Sequence, residues 1–85
     1  MIDLKWLVLE KYKIDKRYKM KLIINGEDKI FDEGSSLKNI IISLQIEDKV
    51  MAAAVNMDIV KKDEWATFLP KEDDKIELLQ FVGGG

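Results

Sequence analysis

The chemistry open to this chain is concentrated at its C-terminus, where Gly83, Gly84 and Gly85 follow Val82. Three consecutive glycines form a ribbon free of side chains that can slide in extended form through a channel too narrow for any other residue. Such a tail delivers its own carboxylate, that of Gly85. With a reference pKa of about 3.3–3.7, this group is ionised at neutral pH and is a poor electrophile until one oxygen is made a leaving group. Adenylation by ATP on a partner enzyme would do this. Taken alone, a glycine ending describes a flexible end equally well, so its meaning rests on what precedes it.

The rest of the chain offers few competing chemistries. Its 85 residues contain no cysteine and no histidine, which removes thiol nucleophiles, disulfides, Cys/His zinc sites and the usual general base. No acid and nucleophile stand at an interpretable spacing, so an enzyme is the least supported reading. Glu72, Asp73 and Asp74 are three acids in one turn without further oxygen ligands at calcium-loop spacing, which reads as a solvated loop; no metal site is expected. Trp65, alone after a turn in a small domain, reads as a core plug and not as a ligand-stacking residue. A net charge of −2 gives no field toward nucleic acid or an anionic membrane. The longest early apolar run, Trp6 to Leu9, is too short for a signal-peptide core or a membrane span. The expectation is a cytoplasmic protein with no nucleic-acid or membrane partner.

The elements that must position the tail can be read from period and turn chemistry. Lys21 to Ile24 is a β-prone run, Asn25-Gly26 suits a tight hairpin turn, and Lys29 to Phe31 is the returning strand. After Gly34-Ser35-Ser36, the residues Leu37, Ile40, Ile41 and Leu44 follow the spacing of an amphipathic helix over about 36–46. Val50 to Val55 fits a buried central strand, Asn56-Met57-Asp58 a turn, and Ile59-Val60 a short strand; Asp63-Glu64-Trp65 can open one helical turn. Pro70 and the acidic stretch mark another turn before a last strand from Lys75 to Val82. In that strand Lys75 and Glu77 face water, Ile76, Leu78 and Gln80 face inward, and Leu79 and Phe81 share the solvent side. Two large apolar residues facing outward just before a working tail suggest that Leu79, Phe81 and Val82 form a docking patch for a partner.

One helix between two hairpin-like strand pairs can bury its apolar stripe only across a single mixed sheet, so the fold class is α+β, a β-grasp with about four to five strands. The domain is expected over residues 20–82, with 83–85 as a tail. Charge sets off the first nineteen residues, which hold six Lys/Arg against three Asp/Glu, while the remainder holds eight against thirteen. Ile2, Leu4, Trp6 and Val8 alternate like a strand. Residues 1–19 are therefore an added edge strand, a disordered extension, or residues upstream of a start at Met20.

From Met20 to Gly85 the sequence resembles the thiamine-biosynthesis sulfur carrier family, ThiS. The resemblance rests on Asn25-Gly26-Glu27, Ala54-Val55-Asn56, Val60, Glu64-Trp65, Asp74, Ile76-Glu77, Gln80 and the ending Val82-Gly83-Gly84-Gly85. It implies a ubiquitin-like fold whose Gly85 is adenylated by a ubiquitin-activating-like (ThiF-like) adenylyltransferase using ATP. Gly85 then becomes a thiocarboxylate fed by a sulfur donor protein, and gives its sulfur to a ThiG-like thiazole synthase. The carrier itself would catalyse nothing and bind no cofactor. The sequence departs from the family at Lys61, where a proline is common, and at Asp73, where a glycine is common. Both lie in turns away from the tail, and neither touches the Gly85 assignment. The small subunit of molybdopterin synthase and a ubiquitin-like protein modifier share the tail logic; Trp65 and the Gln80-Phe81-Val82 approach favour thiamine.

Overall fold

The computed structural model describes residues 4–12 and 18–81. Helix α1 (Leu4–Lys11) precedes strands β1 (Lys19–Ile24) and β2 (Glu27–Asp32), helix α2 (Leu37–Ser43), strands β3 (Val50–Val55) and β4 (Asp58–Val60), a 3-10 turn (Lys62–Glu64) and strand β5 (Lys75–Gln80). The strands form one sheet in the order β2-β1-β5-β3-β4. β1 and β5 run parallel, while β2, β3 and β4 pair antiparallel with their neighbours. A mixed five-strand sheet crossed by one main helix is the expected β-grasp.

Both hairpins are two-residue turns. Asn25 and Gly26 have φ of 49° and 84°, and Asn56 and Met57 have φ of 50° and 74°. Positive φ at both central positions matches the right-handed twist of the flanking strands. β3 is an interior strand as expected, but the middle of the sheet is β5. The Val50–Val55 run is also not buried on both faces: Ala53 and Val55 point into the core, while Ala52 and Ala54 are only half-covered.

Helix α2 is secured at both ends. Its first N–H groups, which lack partners within the helix, go from Leu37 to the Phe68 carbonyl, from Lys38 to the Trp65 carbonyl and from Asn39 to the Ser36 hydroxyl. It stops three residues short of the expected end at 46, because Gln45 turns left-handed at φ 61°. The Ile46 N–H reaches back to the Ile41 carbonyl and the Gln45 N–H to the Ile42 carbonyl, which is the Schellman way of closing a helix.

The core lies between the helix and one face of the sheet, and includes Leu22, Leu37, Ile40, Ile41 and Ile76, all essentially unexposed. Trp65 is 3% exposed, and its indole N–H donates to the Val60 carbonyl at 2.9 Å, which bears out its reading as a core plug. At Lys61, φ is −64°, the value a proline ring imposes, so the backbone here would accept the proline that the family resemblance leads one to expect.

The first residues depart from the alternating-strand reading: Leu4 to Lys11 is a helix, not an edge strand. Apolar residues fill this segment so densely that it satisfies both periods, and Leu, Lys and Glu are better helix than strand formers. Leu9 is fully buried, while Leu4, Leu7, Val8 and Tyr12 are exposed.

Candidate functional site

The site is built around the end of β5. Hydrogen bonds hold this strand on both sides: to β1 through the pairs Ile23–Lys75 and Ile24–Ile76, and to β3 from Val55–Ile76 to Val50–Gln80. Past the end of β1, the Asn25 side chain takes over the pairing. Its carbonyl accepts from the Leu78 N–H at 2.7 Å, and its amide donates to the Leu78 carbonyl at 3.3 Å. The Phe81 N–H donates to the Lys49 carbonyl at 2.6 Å. The chain is thus fixed in position up to the residue before Val82. Val82, Gly83, Gly84 and Gly85 lie outside the described residues.

The inward side of β5 holds Ile76 and Leu78 in the core with Gln80 half-buried, and the outward side exposes Leu79 by 63% and Phe81 by 60%. The period-two reading of this strand is borne out. The sheet brings further residues to that face which the sequence reading missed. Leu79 pairs with Ala52, Glu77 with Ala54, and Ala54 in turn with Ile59 of β4. Together they form a shallow depression of about 240 Å³, floored by the small alanines and walled by Leu79 and Ile59. Ile59 is 79% exposed. No local signal marks Ala52 and Ala54, because Val50–Val55 is an unbroken apolar run, which reads as buried on both sides. A register shift between Val50 and Ala52 marks a bulge at Met51, which is also exposed.

The acidic turn before β5 is structural, not merely solvated. Glu72 accepts from the Lys21 backbone N–H, Asp73 pairs with the Lys21 ammonium at 3.1 Å, and Asp74 accepts from the Lys71 N–H and the Asn56 amide. These bonds tie the start of β5 to β1 and to the β3–β4 hairpin. Asp73 adopts φ 70°, the left-handed region that aspartate tolerates better than most residues. Among the described residues no group of three or more carboxylates is arranged to hold a metal ion, and no helix is long and apolar enough to cross a membrane.

Comparisons with known proteins agree with this architecture. The solved structure of the thiamine biosynthesis protein ThiS from Geobacter metallireducens superposes with a TM-score of 0.60 at 22% identity, covering 78% of this chain and 100% of that one, a likeness of fold. Sequence similarity extends to a thiazole synthase of Paramagnetospirillum magneticum, 33% identical over 66 residues, and to one of Magnetococcus marinus, 30% identical over 66 residues. This chain spans only 20% of the length of each of these two proteins. The sulfur carrier protein ThiS of Bacillus subtilis is 31% identical over 65 residues, which is 75% of this chain and 98% of that protein. The ThiS family model matches residues 19–85, from the first residue of β1 through the glycine tail, and the chain belongs to the ThiS family.

Proposed function

We propose that this chain is a sulfur carrier for thiamine biosynthesis, a co-substrate of partner enzymes and not a catalyst, with the Gly85 carboxylate as its working group. A carboxylate oxygen attacks the α-phosphorus of ATP on a ThiF-like adenylyltransferase, pyrophosphate leaves, and Gly85 becomes an acyl adenylate. A hydrosulfide equivalent from a sulfur donor protein attacks the acyl carbon and displaces AMP, leaving a C–S bond where C–O stood. The thiocarboxylate then surrenders its sulfur to a thiazole synthase.

The observation that carries this reading is the similarity over nearly the whole length of the Bacillus subtilis sulfur carrier, on a chain that ends in three glycines. The two thiazole synthases with a matching segment support the choice of acceptor. The hold on β5 up to Phe81 supports a rigid base for the tail, because partners then meet the carboxylate at a fixed reach from a fixed surface.

Intact-protein mass spectrometry after incubation with ATP, the activating enzyme and a sulfur source is the deciding measurement. A mass gain equal to sulfur replacing oxygen is expected with the native tail and not with a chain lacking Gly85. Absence of both adenylate and mass gain with a competent partner would overturn the proposal. Loss of that sulfur on adding a thiazole synthase, and not a molybdopterin synthase large subunit, identifies the pathway.

A further inference from the structure

The sheet has two edges, and they are not equally protected. β4 is three residues long, which leaves little backbone to template another strand. β2 is six residues long, carries no proline, and pairs with β1 without a register shift. The Glu33 N–H donates to the Tyr18 carbonyl, which fixes the alternation of the ladder. Phe31, Lys29 and Glu27 therefore bond to β1, and Asp28, Ile30 and Asp32 direct their backbone groups away from it. The Asp32 carbonyl accepts from Ser35. Among the described residues, no hydrogen bond is made to the outward N–H and C=O groups of Asp28 and Ile30.

Beside this edge runs a groove of about 700 Å³ between β2 and α2, lined by Phe31, Ile40 and Leu44 at its apolar floor and by Asn39 and Ser43 on the helix side. It shares Lys29 and Leu44 with a second depression that reaches Gln80, the last residue of β5. The groove therefore leads along β2 toward the root of the tail.

Charge decides what can lie there. Residues 27–33 carry four carboxylates, Glu27, Asp28, Asp32 and Glu33, against Lys29, with Lys19 of β1 a further cation lining the groove. Asp28 and Asp32 sit on the face of the sheet away from α2, flanking Ile30, with Asp32 paired to Lys19. A second copy of β2 laid antiparallel with Ile30 against Ile30 would set Asp28 opposite Asp32 twice, and like charges directly opposite are unfavourable. A strand with basic residues four apart meets Asp28 and Asp32 with opposite charge, and its second and fourth residues turn toward Phe31, Ile40 and Leu44 in the groove.

We infer that the free edge of β2 and the groove beside α2 accept, as an added strand, an extended segment of a partner protein with the pattern basic, apolar, any, apolar, basic. Main-chain bonds to Asp28 and Ile30 supply the attachment and the alternate side chains supply the selection. This contact is independent of the tail and of its chemistry. A partner held there would also be held beside the exit of β5.

The test uses the full chain, isotope-labelled for amide NMR, titrated with a peptide containing Lys-Val-Thr-Val-Lys and with its Glu-Val-Thr-Val-Glu counterpart. The basic peptide is expected to shift the amide signals of Asp28, Ile30, Asn39 and Ser43 and to slow exchange of the Ile30 amide about ten-fold. Asp28→Lys, a surface change, is expected to weaken that binding about three-fold, and added salt to weaken it further. Equal binding of the acidic peptide, shifts confined to residues 77–81, or no shift at millimolar peptide would overturn the inference. Concentration-dependent shifts at β2 without peptide would overturn it in favour of a second copy.

Discussion

At the scale of single residues, Asn25 has the most consequential position. Its backbone makes a left-handed turn, and its side chain extends the pairing of β5 by bonding both polar groups of Leu78. Replacing it by glycine keeps the turn and deletes only the bonds, so urea unfolding of Asn25→Gly is expected to show a loss of about 1–3 kcal/mol, with faster exchange of the Leu78 amide. An unchanged Leu78 exchange rate would mean that the bonds contribute nothing. Leu79 and Phe81 belong to the same strand but face outward, where solvent covers them at no benefit to stability. Replacing both with serine is expected to leave the unfolding midpoint nearly unchanged and to weaken binding of the activating enzyme about ten-fold or more, read by calorimetric titration. Unaltered affinity would remove the patch from the proposed function. These two residues were legible in the sequence because strand period alone places them. Ile59, Ala52 and Ala54 were not, because they join the patch only through cross-strand register, which no local pattern encodes. The tie from Asn25 to Leu78 spans 53 residues of chain and was equally hidden; only the turn it makes was visible.

At the scale of elements, the sequence predicted strands and hairpins closely and ends less well. Asn25-Gly26 and Asn56-Met57 were both read as turns, and both are. The apolar spacing continues through Leu44 and predicts a helix to residue 46, but Gln45 ends it by adopting the left-handed conformation, a choice that glutamine does not advertise. Gln45 and Met57 both carry a side chain at positive φ, with Met57 92% exposed, so neither is compensated by burial of its own side chain in the core. Glycine removes the clash of Cβ with the backbone at such positions, and the benefit outweighs the added freedom of the unfolded chain. Gln45→Gly and Met57→Gly are each expected to gain about 0.5–1 kcal/mol, a rise in melting temperature of roughly 2–8 °C for a domain of this size. A fall in melting temperature for either would mean that its side chain makes contacts worth more than the strain. Helix α1 shows the opposite failure: its dense apolar residues fit a strand period and a helical one, and only its helix-forming composition separates them.

At the scale of the whole molecule, fold and family were legible because the sheet order follows from one helix between two hairpins, and because the tail is a sequence feature in itself. What the sequence left open was the place of the first residues. Among the described residues, the principal buried cluster runs from Met20 to Leu78 and includes none from α1, and the family match begins at Lys19. Residues 19–85 therefore contain every described strand, the main helix, its caps and the tail. Leu9 is nevertheless fully buried, which at about 1.5–3 kcal/mol for a leucine side chain gives α1 a share in stability. A chain beginning at Lys19 is expected to keep a single cooperative urea transition and dispersed amide signals, with a midpoint lowered in keeping with that loss, and, under the proposed function, to gain sulfur at Gly85 to the same extent as the full chain. Leu9→Ala in the full chain should reproduce most of the midpoint change, because it removes the one described α1 side chain that is fully buried. Loss of the cooperative transition in the shortened chain would show instead that α1 is part of the folding unit, and would extend the domain beyond the residues matched by the ThiS family.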